Sequence, residues 1–284
     1  MYPRKFDYVA PATIDEAVAA LSSHDGAKVL AGGMSLLPLM KMRFLSPTLL
    51  VDIGKIGGLD SISDDGDHLT IGALVRHSDT ASSSGLVGEH AAALALAARW
   101  TADVQVRNMG TTCGSLAHAD IAADQTAAVL ALGATMVAQS TRGVREIAGT
   151  EFFVDTLTTA LQPDEILTHV KVPKGGRSAY DKLGRRGGHS DYAVAGAAAW
   201  VSKSNGSVSD ARVAITGIGT KPTLAAGVAE AIVGTDGSDA AIATAAARAA
   251  EGVIVLEDLY GSEEYKAHLA EVYVARALKA ALAS

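Results

Sequence analysis

The stretch "AKVLAGGMSLLPLMKMR", residues 27–43, restricts the fold of this chain more than any other. An apolar run of strand character ends in the pair Gly32-Gly33, and "LLPLMKMR" then reads as a short helix. Before it, the extended segment "KFDYV" leads into Thr13-Ile-Asp-Glu16, a capping-box pattern that opens an amphipathic helix through about Ser22. After it, "TLLVDI" is a further strand. Residues 5 to 53 therefore predict a compact β-α-β-α-β unit, and we assign 1–55 to a first small subdomain.

A strand that runs into Gly-Gly-x-Ser and then a helix start presents backbone N–H groups and the positive end of a helix dipole, which suits a phosphate or diphosphate. Gly32 and Gly33 would let the backbone approach a ligand, and Ser35 could add a hydroxyl. An ordinary tight turn is the competing reading. Neither common nucleotide loop is present, because no G-x-G-x-x-G follows a strand and no G-x-x-x-x-G-K-[ST] exists. A second stretch, "NMGTTCGSLAHAD", supplies another run of small residues, with hydroxyls on Thr111, Thr112 and Ser115, ahead of a helix that carries acids. Two such loops could clasp a dinucleotide diphosphate between two domains, with Asp124 accepting hydrogen bonds from sugar hydroxyls. Asp120 and Asp124, four residues apart, could equally stabilise a helix start without any ligand.

Between these loops and beyond, the pattern continues as "HLTIGALV", a strand, an Ala/Leu-rich helix near 86–100, a helix near 125–132, a hairpin from "ATMVAQ" and "GVREIA", and a strand "DEILTHVKVP" stopped by Pro173. Residues 56–175 form a second α/β subdomain in this reading, with "KGGR" at 174–177 as the linker. In 176–284, two alternating strands join through Asn205-Gly206, a strong hairpin signal, and helices follow near 224–233, 238–250 and 262–281. The overall class is α+β: two N-terminal α/β subdomains and a C-terminal domain of antiparallel sheet backed by helices.

With 284 residues, 24 Lys+Arg and 31 Asp+Glu, the formal charge is −7, which argues against nucleic acid as a partner. The N-terminus lacks an apolar signal core and no apolar run reaches the ~18 residues of a membrane span, so a cytoplasmic setting is expected, with a peripheral position at the inner face of the membrane compatible with it. The single cysteine, Cys113, can neither form an intrachain disulfide nor supply the thiolates of an iron–sulfur cluster. His118 lies five residues on, but the flanking residues match no thiol-enzyme signature, and a packed or loop-lining thiol is the expectation.

"LAGGMSLLPLMKMR" together with "RNMGTTCGSLAHADIAAD" resembles the paired FAD-binding motifs, AGG-x-S and T-[IT]-G-G-[SN], of the flavoprotein medium subunits of molybdenum hydroxylases, with aerobic carbon monoxide dehydrogenases as the nearest branch. "FDYVAPATIDEAVAAL" and "YDKLGRRGGHSDYAVAGAAAWV" extend the resemblance over essentially the whole chain. It implies a PCMH-type FAD-binding domain in which Ala31, Gly32, Gly33, Met34, Ser35 and Leu36 wrap the FAD diphosphate and Thr111, Thr112, Cys113, Gly114 and Ser115 form a second clasp. Asp124 matches the acidic residue on the sugar side, His118 and Asp120 the loop near the flavin, and Leu161 an apolar contact. Lys182 or Arg185 would lie near the cofactor and Tyr192 near the isoalloxazine, although Tyr192 also suits an ordinary core or interface aromatic. The chain departs from the family at Cys113, where glycine is usual, and at Ile121, where proline often follows the acid.

The resemblance also implies a division of labour. This chain would carry FAD and pass electrons to an external acceptor such as a quinone. Iron–sulfur clusters would sit on a small partner and the molybdenum cofactor on a large one, in a dimer of heterotrimers, and no residue here would be catalytic in the molybdenum chemistry. Three alternatives stay open: the medium subunit of another molybdenum hydroxylase, acting on an aldehyde, xanthine or an N-heterocycle; a self-sufficient flavoprotein oxidoreductase using His118, Asp191 or Tyr192; and a non-catalytic nucleotide-binding module.

Overall fold

The structure is a computed structural model, and it describes residues 1–88, 91–187 and 191–283. The expected N-terminal unit is present as a three-stranded parallel sheet in the order Asp7–Val9, Leu49–Asp52, Lys28–Leu30, with Tyr8 opposite Leu50 and Val29 opposite Val51. Its first helix, Ile14–Ser22, starts at Thr13, whose hydroxyl accepts from the Glu16 amide. The Glu16 carboxylate reaches back to the amide of Ala12 rather than that of Thr13, so the capping box closes one residue early. The second helix, Leu36–Met42, follows the Gly-Gly turn; Pro38 falls in its first turn, where the missing N–H has no intrahelical partner to lose.

The second sheet has five antiparallel strands in the order Ile62–Asp64, His68–Gly72, Ile166–Pro173, Thr135–Ser140, Gly143–Ala148. Ile166–Pro173, the last of them in sequence, is central because it alternates buried side chains and pairs on both edges. The helix expected near 86–100 runs over Ala92–Trp100; residues 89 and 90 lie outside the described residues. The third sheet orders Arg177–Gly184, Ala193–Ser204, Ser207–Thr216 and Thr223–Leu224, its hairpin closed by Asn205 (φ 52°) and Gly206 (φ 82°) in the left-handed geometry that a two-residue hairpin turn favours. Helices Ala226–Ile232, Asp239–Ala246 and Glu263–Ala283 back it.

The cores do not divide as the sheets do. Val51 of the first sheet, Ile71 and Val170 of the second, and Leu94, Leu116 and Val129 of the helices between them belong to one buried cluster, so the two N-terminal sheets share a core. A separate cluster, including Val213, Ile215, Val228, Val274 and Leu278, lies under the C-terminal sheet. Burying each such aliphatic side chain contributes roughly 1.5–3 kcal/mol. Helices Ala92–Trp100 and Asp124–Ala131 pack against strands of the third sheet, and Tyr180 reaches from it into the N-terminal core. The segment 174–177 is held at two points: the Lys174 amide donates to Asp67 O (3.0 Å), and the Trp200 indole donates to Gly175 O (2.7 Å).

Candidate cofactor-binding site

The two glycine-containing loops meet. A Cβ on Gly32 would collide with the Met109 carbonyl oxygen and stand 2.7 Å from Gly110 Cα, so the first loop lies directly on the backbone of the second. Gly32 is thus required for contact between the loops, whereas the sequence suggested a close approach to a ligand. Gly33 has φ 73°, which glycine adopts without the steric penalty of an L side chain. Ser35 opens helix Leu36–Met42 without a side-chain cap bond, leaving its hydroxyl uncommitted to the helix.

The second loop is more ordered than its sequence suggested. It is the start of a helix, Thr112–His118, capped by Thr111. The amides of Thr112, Gly114 and Ser115 are already bonded, to Val75 O, Thr111 Oγ1 and Thr111 O, so they are not free donors. Thr112 itself is turned into the core, where its hydroxyl meets that of Thr80 at 2.7 Å. Cys113 adopts helical backbone geometry, so its side chain brings no backbone strain. Its thiol is 2% exposed, faces Ile71 O and Gly72 O, and is pushed by burial up to about 12, which leaves it without nucleophilic character at neutral pH.

Between the loops opens a cavity of about 870 Å³, within the size range of small-molecule sites and near its upper end. Ala31 to Leu36 line it, as do Thr111, Cys113, Gly114, Ser115, His118, Asp120, Asp124, Leu161, Asp191 and Tyr192. Thr112 and Lys182 do not. Asp120 is not at a helix start: it sits in the turn after the left-handed Ala119, its Oδ1 accepting from the Ala122 amide at 2.9 Å, while Asp124 begins helix Asp124–Ala131. His118 closes the preceding helix, and burial lowers its pKa against the pull of Asp120.

Asp124 carries the densest polar network of the site. Tyr180 donates to it at 2.6 Å and the Lys182 ammonium at 2.7 Å; Lys182 also donates to Trp100 O at 3.0 Å and to Asp191 O. The Lys182 side chain is 0% exposed, so it acts through Asp124 and the 191 backbone and does not itself line the cavity. Burial pushes the Asp124 carboxyl up to about 6 against the opposing effect of the Lys182 charge and hydrogen bonds. Tyr192 is 41% exposed at the cavity edge, its phenol raised by burial. Arg185 lies over the rings of Tyr192 and Tyr260 at 5.2 and 4.7 Å and contacts aromatic faces, not the cavity. Residues 188–190 of the "KLGRRGGHSDYA" stretch lie outside the described residues.

Several lining residues carried no motif. Leu157 and Pro163 bring apolar surface from the segment before the central strand, Ile166 and Leu167 from the start of that strand, and His77 enters from the helix His77–Ser82. Only "RHSD" following a strand could have pointed to His77. An apolar chamber with hydroxyls, a positive-φ glycine and a buried acid at its edge fits a ligand that combines a diphosphate, a polyol and a flat ring.

Comparison with known proteins gives the same direction. Residues 4–175 match the family described as "FAD binding domain in molybdopterin dehydrogenase", and residues 178–281 match "CO dehydrogenase flavoprotein C-terminal domain". The chain is 38% identical to the carbon monoxide dehydrogenase medium chain of Hydrogenophaga pseudoflava, over 100% of this chain and 99% of that one. It is 37% identical to the alpha subunit of the 6-hydroxypseudooxynicotine dehydrogenase complex of Paenarthrobacter nicotinovorans, over 99% and 96%. Among solved structures, carbon monoxide dehydrogenase from Hydrogenophaga pseudoflava superposes with a TM-score of 0.94 at 38% identity (100% and 99% covered). Quinoline 2-oxidoreductase from Pseudomonas putida 86 does so with 0.93 at 32% (100% and 99% covered). The chain, an oxidoreductase subunit, belongs to the FAD-binding flavoprotein subunits of the molybdenum hydroxylases, as its paired glycine loops suggested.

Proposed function

We propose that the cavity between the two loops holds FAD, with Ala31–Leu36, Thr111, Cys113, Gly114 and Ser115 about its diphosphate, Asp124 on the sugar side, and Leu161, His118, Asp120 and Tyr192 toward the ring. The observation that carries this reading is the backbone contact of the two loops at Gly32 and Met109, with the cavity opening beside it. Bound there, FAD supplies the exchange of electrons between iron–sulfur clusters on a partner chain and an external acceptor. The chain's own residues bind and orient: Gly33 sets the turn, the Thr111 cap fixes the second loop, and Lys182 with Tyr180 holds the Asp124 carboxylate in place. Thr112 contributes packing alone, and residues 1–55, 56–175 and 176–284 serve as the three structural parts of this assembly.

The reading extends to a complex: a small iron–sulfur subunit, a large subunit with the molybdenum cofactor, a dimer of heterotrimers and a quinone-type acceptor, in the cytoplasm or at the inner face of its membrane. Among the described residues no helix is long and apolar enough to cross a membrane. Oxidation of carbon monoxide (CO + H2O to CO2, 2 H⁺ and 2 electrons) is the first candidate reaction. The 37% identity to a 6-hydroxypseudooxynicotine dehydrogenase subunit favours a second reading, in which the same flavoprotein serves an N-heterocycle hydroxylase. Purification of the native complex, with iron, molybdenum and flavin quantified and both substrates assayed, tests this. Turnover by the isolated chain would instead support the self-sufficient oxidoreductase.

A further inference from the structure

His77 is 4% exposed, lines the cavity and belongs to no motif. Three contacts fix it. Its amide donates to Gly110 O at 3.0 Å; its Nδ1 lies 2.6 Å from the Gln125 side-chain amide; and its Cδ2–Nε2 edge packs on Gly110, where an added Cβ would be 2.9 and 3.0 Å from those atoms. The imidazole thus sits against the residue that precedes the second loop, one position from the Gly32 contact.

The Gln125 side chain decides which ring nitrogen carries the proton. As arranged, its NH2 donates to Nδ1 and its buried oxygen has no partner among the described residues. Reversing the amide would strand a buried NH2 instead, and orphaned buried N–H donors are rarer than under-satisfied carbonyl oxygens. Nδ1 is therefore the acceptor and Nε2 bears the hydrogen. Burial, with Arg107 nearby, lowers the His77 pKa to about 4, so the ring is neutral near pH 7.

We propose that His77 is a ligand-binding residue whose Nε2–H, set by Gln125 and aimed at the cavity beside Gly110, donates a hydrogen bond to an oxygen acceptor of bound FAD. This rests on the reading of the cavity as the FAD site.

The test is long-range ¹H–¹⁵N spectroscopy of the histidine-labelled full chain with and without FAD, alongside FAD titration of wild type and His77→Phe. We expect the free chain to show His77 in the Nε2–H form, that resonance to move on FAD binding, and His77→Phe to weaken FAD binding at least about tenfold. ADP and riboflavin, added separately, distinguish a diphosphate oxygen from a ring oxygen as the acceptor. Stoichiometric FAD binding by wild type with the His77 resonance unmoved would overturn the proposal, even if His77→Phe fails to fold. Equal FAD affinity in wild type and His77→Phe would also overturn it. Failure of wild type to bind FAD would instead remove the FAD reading on which it rests.

Discussion

Gly32 and Met109 are in backbone contact: a Cβ at residue 32 would collide with the Met109 carbonyl oxygen. Any side chain there must push the two loops apart. We expect Gly32→Ala to destabilise the chain by about 1–3 kcal/mol, as overpacking does, and to weaken FAD binding more than tenfold. Gly33→Ala, at φ 73°, should cost roughly 1–2 kcal/mol from strain alone. Urea denaturation and flavin titration of the two variants separate these effects.

Lys182 is the buried counter-charge of Asp124. Lys182→Met would leave that carboxylate without its counter-charge and remove the ammonium's bonds to Trp100 O and Asp191 O, and we expect a loss of about 3–5 kcal/mol in denaturant unfolding. Lys182→Met combined with Asp124→Leu should lose less than the sum of the two single changes, because no unpaired charge remains. Additive losses would show that the pair is not energetically coupled.

The buried His77 predicts a pH dependence with a definite sign. Its pKa is lowered from 6.5 to about 4, so between these values the unfolded chain binds more protons. Its contribution is fully present above 6.5 and is lost as pH falls toward 4, up to roughly 3 kcal/mol. Asp124, raised to about 6 by burial, acts in the opposite sense, and His118 and His169, both lowered by burial, act in the same sense. All three are common to wild type and His77→Phe. The difference between their pH–stability curves, measured without FAD, should therefore follow His77 alone.

Cys113 should be inert. Its thiol is buried and raised to about 12, so a thiol reagent at pH 8 should label it only after denaturation. Cys113→Gly should cost about 1–2 kcal/mol through lower helix propensity and a lost buried side chain, with FAD affinity within a few-fold of wild type. Labelling of the native chain at a rate comparable to the unfolded one would contradict the packed-thiol account.

Local chemistry in the sequence carried the elements around the site. The Thr13 cap, the Asn205-Gly206 hairpin and the Gly32-Gly33 turn each depend on a few adjacent residues, and each appears where its residue types require it. The contacts between elements were not legible. That Gly32 answers Met109, that Lys182 is sealed behind Asp124, and that His77 faces Gly110 all depend on residues 33 to 77 positions apart, brought together only by packing between elements. Thr112 was misread for the same reason: a hydroxyl in a loop-like run suggested a ligand contact, and only helix phase turns it toward Thr80.

The central claim is that the paired loops hold FAD, and titration of the purified full chain with FAD, followed by flavin absorbance and a parallel titration of Gly33→Asp, tests it most directly. The account predicts one FAD per wild-type chain and none on a folded Gly33→Asp variant, which adds a negative charge to the loop about the diphosphate. Wild type that takes up no FAD, or a Gly33→Asp variant that retains it stoichiometrically, would contradict it.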